Sequence, residues 1–223
     1  MPELERKIIV TADGSSTIFI PKWNEHYHSH HGAIQEAKHV FLDNGLKLLH
    51  KDEITIIELG FGTGLNALIA WQFAENTCKK IQYNTIEKYP IKKEELELLN
   101  YHRELGINQE DFIALHQTDW EREVKISDYF CLTKYNTDFF SLEMIPNNSA
   151  DIIFFDCFGA RVQPELWEKP LLEIIKKKMK KDALLTTYSS KGSFRRALIE
   201  LGFEVEKKQG PKGKREMLIG WKR

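Results

Sequence analysis

Residues 54–66 read I-T-I-I-E-L-G-F-G-T-G-L-N, and the fold turns on this stretch. A short β-branched apolar run closes on Glu58, and glycines follow at alternate positions: Gly60, Gly62 and Gly64. Leu65, Leu68, Ile69, Trp71 and Phe73 then set an apolar pattern of helical period. The order is strand, tight glycine turn, helix. Glycine lets a backbone approach a ligand closely, and the first turn of a helix offers N–H groups without internal partners. Downstream, I-Q-Y-N-T-I at 81–86 reads as a second strand ending at Glu87. A carboxylate there, roughly 20 residues beyond the glycines, is placed to hold ribose hydroxyls. Together these signals imply a nucleoside-containing cofactor.

The spacing selects among nucleosides. A dinucleotide loop reads G-x-G-x-x-G, and a phosphate-binding P-loop ends in Gly-Lys-Ser/Thr. Neither pattern is present in 58–66. A carboxylate two positions before the first glycine repels a pyrophosphate but suits a methionine moiety bearing an ammonium and a sulfonium. The loop therefore resembles that of Rossmann-like S-adenosylmethionine methyltransferases. A purely structural turn is the plainer alternative, and Glu87 in register after a second strand weighs against it.

At 223 residues the chain is long enough for one sizeable core, read here as a single domain over 1–223. Within it, 1–50 is an extension expected to cover the cofactor site, and 51–223 is the Rossmann-like core. No apolar run approaches the roughly 18 residues that span a bilayer, and the N-terminal M-P-E-L-E-R-K lacks a signal-peptide core. Cys78, Cys131 and Cys157 are odd in number and widely spaced, which indicates neither a disulfide framework nor a zinc site. The expectation is a reduced, cytoplasmic protein.

Net charge is −1, but residues 176–223 hold 15 Lys/Arg against 5 Asp/Glu. Lysines 176, 177, 178, 180 and 181 close a helix, where cations favour the negative end of the dipole and are ordinarily solvated. Arg195 and Arg196 on the next helix, with Lys207, Lys208, Lys212, Lys214 and Arg215 around a Gly-Pro turn, form a patch suited to a phosphate backbone.

Alternating patterns predict strands at 4–10 and 16–20 around Asp13-Gly14, a helix over 32–42, and a helix over 91–105 ended by Gly106. Strands are expected at 112–116, 129–135, 151–155 and 183–188, and helices over 164–179 and 192–201. Strands at 203–206 and 216–221 close the chain. This is an α/β order: a mostly parallel doubly wound sheet with an antiparallel last strand. In such sheets ligands bind beyond the carboxyl ends of the strands. Asp138, after the strand at 129–135, either reaches an adenine amino group or caps a helix. Asp156 ends the strand beside the first. Flanked by Phe155 and Phe158, it suits holding or deprotonating an amine, with capping again the plainer alternative.

Further blocks carry a family resemblance. Residues 156–167 follow D-x-F-x-x-x-x-x-P-E-x-W, 187–198 read T-Y-S-S-K-G-S-F-R-R-A-L, and 210–218 read G-P-K-G-K-R-E-M-L. With the loop at 58–66, E-K-Y-P at 87–90, and 27–42 with its Glu36, these resemble the methyltransferase half of the bifunctional bacterial wobble-uridine enzyme MnmC and its stand-alone form MnmD. The resemblance implies transfer of a methyl group from S-adenosyl-L-methionine to the exocyclic amine of 5-aminomethyl-(2-thio)uridine at the wobble position of tRNA. It implies Tyr27, Glu58, Gly60, Gly62, Gly64, Asn66, Glu87, Lys88 and Asp138 around the cofactor, Asp156 as orienter and base, and Phe158 shaping the pocket. Arg195, Arg196, Lys208, Lys212, Lys214 and Arg215 would hold the tRNA anticodon stem-loop. With no second glycine fingerprint, the chain is expected to act without a fused flavin oxidoreductase half. It departs from the family between Phe158 and Pro164, where G-A-R-V-Q replaces a Pro followed by Asn-Pro.

The cluster H-Y-H-S-H-H at 26–31 approaches the H-x-H-x-D-H pattern of metal hydrolases, but His stands where Asp is needed and no second ligand set follows. A polar loop near the cofactor is expected there, with no metal. Two other readings remain. A small-molecule methyltransferase or aminopropyltransferase would share the loop without needing the basic tail; a non-catalytic RNA-binding protein would need the tail without the loop.

Overall fold

The structure is a computed structural model that describes residues 4–223. At its centre β4 (Glu53–Leu59) lies between β5 (Lys80–Ile86) and β8 (Ala150–Phe155), all three parallel. Strands buried on both faces need apolar side chains in both directions, and β8 reads A-D-I-I-F-F accordingly. Ile56, Ile152 and Phe154 pack on one side with Phe41, Leu65 and Phe112. Ile57, Ile153 and Phe155 pack on the other with Trp167, Leu171 and Phe194.

The sheet extends from β5 to β7 (Phe130–Tyr135) and the short β6 (Glu123–Lys125). From β8 it extends to β9 (Met179–Thr187), β11 (Glu216–Lys222) and β10 (Phe203–Gln209). β11 is antiparallel to both its neighbours, as expected of the last strand, and β6 adds an antiparallel edge that the sequence did not signal. The chain leaves β4 toward β5 and β7, then returns to β8 on the other side. This reversal opens a crevice beyond the ends of β4, β5 and β8. Helices α2 (Leu65–Thr77), α6 (Lys169–Lys178) and α7 (Gly192–Glu200) make the crossovers.

Four expectations are corrected. Residues 112–116 are not a strand but lie in helix α5 (Gln109–Gln117). Asn108 accepts the Glu110 N–H at 3.0 Å as its cap, and Phe112 and Leu115, three apart, turn the same face inward. The helix over 91–105 is broken into α3 (Lys93–Leu96) and α4 (Tyr101–Leu105). Between them Asn100 is drawn out by the N-terminal hairpin: its Oδ1 accepts the Ser16 N–H at 2.7 Å and its Nδ2 donates to Gly14 O at 2.9 Å. The helix over 164–179 becomes a 3₁₀ turn, Pro164–Trp167, and then α6, because Pro170 begins a fresh helix. Of the lysines expected to close this helix, Lys180 and Lys181 fall instead in β9, and they are not all merely solvated. Lys178 Nζ is buried on Ile145 O at 2.7 Å, and Lys180 meets Asp151 at 2.8 Å.

The N-terminal strands β1 (Lys7–Val10), β2 (Ser16–Ile20) and β3 (Glu25–His26) form a separate antiparallel sheet. Helix α1 (Ala33–Ala37) follows and continues as a π turn to Asp43. Asp13 ties hairpin to helix: Oδ1 accepts the Ser15 N–H and Oδ2 the Gln35 N–H, at 3.1 and 2.9 Å. Arg6 crosses to the segment after β5, donating to Tyr89 O at 2.9 Å and pairing with Glu95 at 3.1 Å.

Asp151 is 1% exposed yet charged, and accepts from Lys51, Lys180 and the Thr55 N–H at 2.6, 2.8 and 2.9 Å. Its loss strands two lysines and a backbone donor at once. Asp151→Ala is expected to lower unfolding free energy by about 2–3 kcal/mol, since both lysines keep access to water. Urea denaturation measures this, and a loss below about 0.5 kcal/mol would contradict the assignment.

Candidate active site

The crevice is a cavity of ≈ 1320 Å³ walled by the glycine loop, the ends of β5, β7 and β8, the N-terminal segment 23–31, Tyr188 and Lys214. The loop turns because Gly60, Gly62 and Gly64 adopt φ of +98°, +50° and +72°, which side chains disfavour. A Cβ on Gly60 would lie 2.9 Å from the Asp156 carbonyl oxygen, and one on Gly62 would lie 3.1 Å from the Tyr27 ring. Glu87 holds the loop from the neighbouring strand: its carboxylate accepts the Gly62 N–H at 3.0 Å and the Tyr89 N–H at 2.8 Å. Burial raises its pKa, opposed by those hydrogen bonds.

Thr63 is pinned twice. His28 Nε2 meets its hydroxyl at 2.9 Å, and His116 Nε2 donates to its carbonyl at 3.1 Å. Burial lowers the two imidazoles to about 4 and about 3, so both are neutral at physiological pH. Behind them Lys134, 0% exposed, donates to His116 O at 2.6 Å and lies 4.7 Å from the Trp120 ring centroid. Burial lowers Lys134 to about 8. His28 thus serves the loop. The His30 and His31 rings lie 3.9 Å apart, tilted by 39°, and His31 packs against Gly213. Among the described residues no group of three or more His, Cys, Asp or Glu converges on a metal position.

Asp156 is part-buried on the cleft wall, where Asn66 Nδ2 donates to it at 2.8 Å. Its pKa is raised to about 7, first by burial and further by nearby Glu36, against the hydrogen bond from Asn66 and the charge of Lys214. Phe158 lines the cavity two residues on, edge-to-face with Tyr27 at 5.0 Å. Tyr188 donates to Cys157 O at 2.7 Å, fixing the intervening backbone.

The expected residues divide. Tyr27, Gly60, Gly62, Glu87, Lys88, Asp138, Asp156, Phe158 and Lys214 line the cavity. Lys88 and Asp138 pair with each other at 3.0 Å, and Asp138 also caps the Phe140 N–H at 3.0 Å. Glu58, Gly64 and Asn66 stand behind the wall. A Cβ on Gly64 would meet His116 at 2.6 Å. Glu58, 0% exposed, accepts from Thr85 Oγ1 at 2.7 Å with Asn66 and Tyr83 beside it, and burial pushes its pKa up to about 8. It is sealed within the sheet rather than exposed as its spacing suggested, because β4 runs one residue past it to Leu59.

The basic patch divides as well. Lys214 turns into the cavity, 2.7 Å from Glu36 and 3.8 Å from the Tyr188 ring centroid. Lys208 pairs with Glu206 at 2.6 Å, and Arg195 is half-buried with its Nε enclosed. Arg196, Lys212 and Arg215 remain exposed. Trp23, Thr63, Arg161 and His116 were not legible as site residues. Reading 109–117 as a helix would have placed His116 one turn from Phe112, facing the loop.

Residues 78–223 match the family of S-adenosyl-L-methionine-dependent methyltransferases, and the chain belongs to it. It is 30% identical over 228 residues to the tRNA 5-methylaminomethyl-2-thiouridine biosynthesis bifunctional protein MnmC of Burkholderia thailandensis, covering 96% of this chain and 34% of that one. Identity to the MnmC of Methylobacillus flagellatus is 31% over 210 residues, 87% of this chain and 32% of the relative. The chain thus spans about a third of the length of these relatives. Among solved structures, MnmC2 of Aquifex aeolicus superposes with a TM-score of 0.82 at 26% identity, over 100% of this chain and 71% of that one. A spermidine synthase shares the fold, with a TM-score of 0.62 at 10% identity, over 100% of this chain and 72% of that one. The cofactor is S-adenosyl-L-methionine, and the close approaches kept open by Gly60 and Gly62 fit a ligand laid against the loop.

Glu58 yields a pH test. Its folded pKa, about 8 against an ordinary 4.5, means the native state favours its proton. That stabilisation is whole below about 4.5 and is lost as pH rises through about 8. Glu58→Gln keeps the neutral shape at every pH. It is expected to match wild-type stability near pH 5 and exceed it above pH 8 by roughly 2–4 kcal/mol. Thermal melts across this range decide it; a difference that does not grow with pH would refute the protonated Glu58.

Proposed function

We propose that the chain methylates the exocyclic amine of 5-aminomethyl-(2-thio)uridine at the tRNA wobble position, giving the 5-methylaminomethyl form. The observation that carries this reading is Asp156 on the cleft wall, oriented by Asn66 and set beside Phe158, at the end of the strand adjoining the glycine loop. The relatives' names point to the same nucleoside. Residues 1–50 would cover the cofactor site and 51–223 form the core.

The loop from Gly60 to Thr63 would hold the cofactor, with Glu87 toward its ribose hydroxyls, Asp138 toward its adenine and Tyr27 over Gly62. When bound, S-adenosyl-L-methionine supplies a methyl carbon made electrophilic by its sulfonium. The protein's own task is to present a neutral amine in line with it. An aminomethyl group is largely protonated at neutral pH, so a proton must leave before the lone pair can attack. Asp156 accepts that proton, and its pKa near 7 matches the operating pH. Lys214, held by Glu36, keeps a positive charge in the cleft that disfavours the ammonium form of a neighbouring amine. The wobble base leaves a single-stranded loop at small cost to enter the cleft. Arg196, Lys212 and Arg215 contact the tRNA backbone from outside. Arg195 and Lys208 support that surface rather than touch phosphate.

The test is methyl transfer from labelled S-adenosyl-L-methionine to tRNA carrying the aminomethyl precursor, followed by nucleoside mass spectrometry. Wild type is expected to form the methylaminomethyl nucleoside, with a rate that falls as pH drops through about 7, where Asp156 takes up its proton. Asp156→Asn should lower kcat about 10²–10³-fold and remove that limb of the pH profile. Transfer to a small free amine with none to tRNA would overturn the proposal.

A further inference from the structure

The turn between β2 and β3 carries Trp23 to the mouth of the cavity, part-buried and facing Phe158 at 5.4 Å with the rings 75° apart. The turn is held from across the crevice. Arg161 Nη2 donates to Trp23 O at 2.5 Å, to Asn24 O at 3.1 Å and to Glu25 Oε1 at 2.8 Å. Phe158 is equally fixed: its own carbonyl accepts from Trp167 Nε1 at 2.8 Å, and the carbonyl before it from Tyr188 at 2.7 Å. Rigid backbone on both sides thus supports an aromatic corner beside Asp156. In this edge-to-face pair one ring's edge rests on a face of the other, so the two rings stand at an angle as a corner rather than a stack, and Tyr27 meets Phe158 in the same way at 5.0 Å. The Trp23 indole N–H bonds to no described residue.

The charges around the corner discriminate between acceptors. A flexible polyamine would need a line of unpaired carboxylates. Here Glu25 is paired with Arg161 at 2.8 Å and Glu36 with Lys214 at 2.7 Å. Glu165 also lines the cavity, but Asp156 is the carboxylate beside Phe158, held by Asn66 and placed for a single amine carried on a flat apolar group.

We propose that Trp23, held by Arg161, is the platform for the acceptor base: a planar nucleobase stacks in the corner of Trp23 and Phe158 with its aminomethyl group toward Asp156, and the indole N–H serves a base carbonyl. This rests on the function proposed above and assigns it a specificity-determining residue. Stacking on an aromatic side chain carries enough binding energy to be read directly in KM.

The experiment compares wild type, Trp23→Ala, Trp23→Phe and Arg161→Ala with precursor tRNA, with S-adenosyl-L-methionine binding followed separately by calorimetry. Trp23→Ala should raise KM for tRNA roughly 5- to 100-fold, with cofactor Kd and melting temperature unchanged. Trp23→Phe should recover most of that loss, and Arg161→Ala should reproduce part of it. Free 5-aminomethyluridine, used as a minimal acceptor, should suffer the Trp23→Ala loss to the same degree, whereas Lys212→Ala should weaken only tRNA. An unchanged KM for tRNA in Trp23→Ala would overturn the platform while leaving the enzyme's function standing. An equal loss in cofactor binding would also overturn it, assigning Trp23 to the cofactor instead. If wild type binds S-adenosyl-L-methionine but methylates neither acceptor, the function itself falls and the platform with it.

Discussion

The close approach of the loop between β4 and α2 to its surroundings is the constraint on which the rest of the site depends. Gly60 runs against the Asp156 carbonyl and Gly64 against His116, where a Cβ would force a shift, and Gly62 lies tight against Tyr27. The loop is therefore a shared surface of β8, the N-terminal segment and α5. Glu87 completes it by taking the Gly62 N–H, so the ends of β4 and β5 are bonded to each other where a cofactor must lie.

Holding that loop requires buried polar groups in unusual charge states. His28 and His116 are kept neutral to bond Thr63, Lys134 is enclosed beneath them, and Glu58 favours its proton within the sheet. Each would cost several kcal/mol if left charged and unpaired, and each instead neutralises or finds a partner. Asp156 belongs to the same set but opens on the cleft, where a pKa near 7 becomes usable for proton transfer.

The basic C-terminal segment divides its work by the same logic. Lys178, Lys180 and Lys208 stabilise the fold through carbonyls and carboxylates, and Lys214 turns inward to Glu36 and Tyr188. Arg196, Lys212 and Arg215 of the expected set are exposed. Charge asymmetry in a sequence counts these roles together; burial separates them.

The local signals were sufficient for the frame. Strand, alternating glycines and helix at 54–77, the acid at Glu87 and the buried strand ending at Asp156 predicted the crevice, because β-branched runs and positive-φ glycines act within a few residues. Residues 112–116 misled, since a short apolar run fits either period until the Asn108 cap settles it. What only tertiary structure decided is which of the chosen residues see the cleft. Glu58 and Asp156 both sit at the ends of apolar runs, yet one is sealed and the other half-open, because Glu58 still lies within β4 while Asp156 comes just past the end of β8, where the crevice opens. Trp23 and His116 come from segments with no local mark of function, and His28 and Arg161 from marked blocks that did not single out these roles. Their roles arise from long-range contacts, and those exist only once the N-terminal sheet and α5 are brought against the loop.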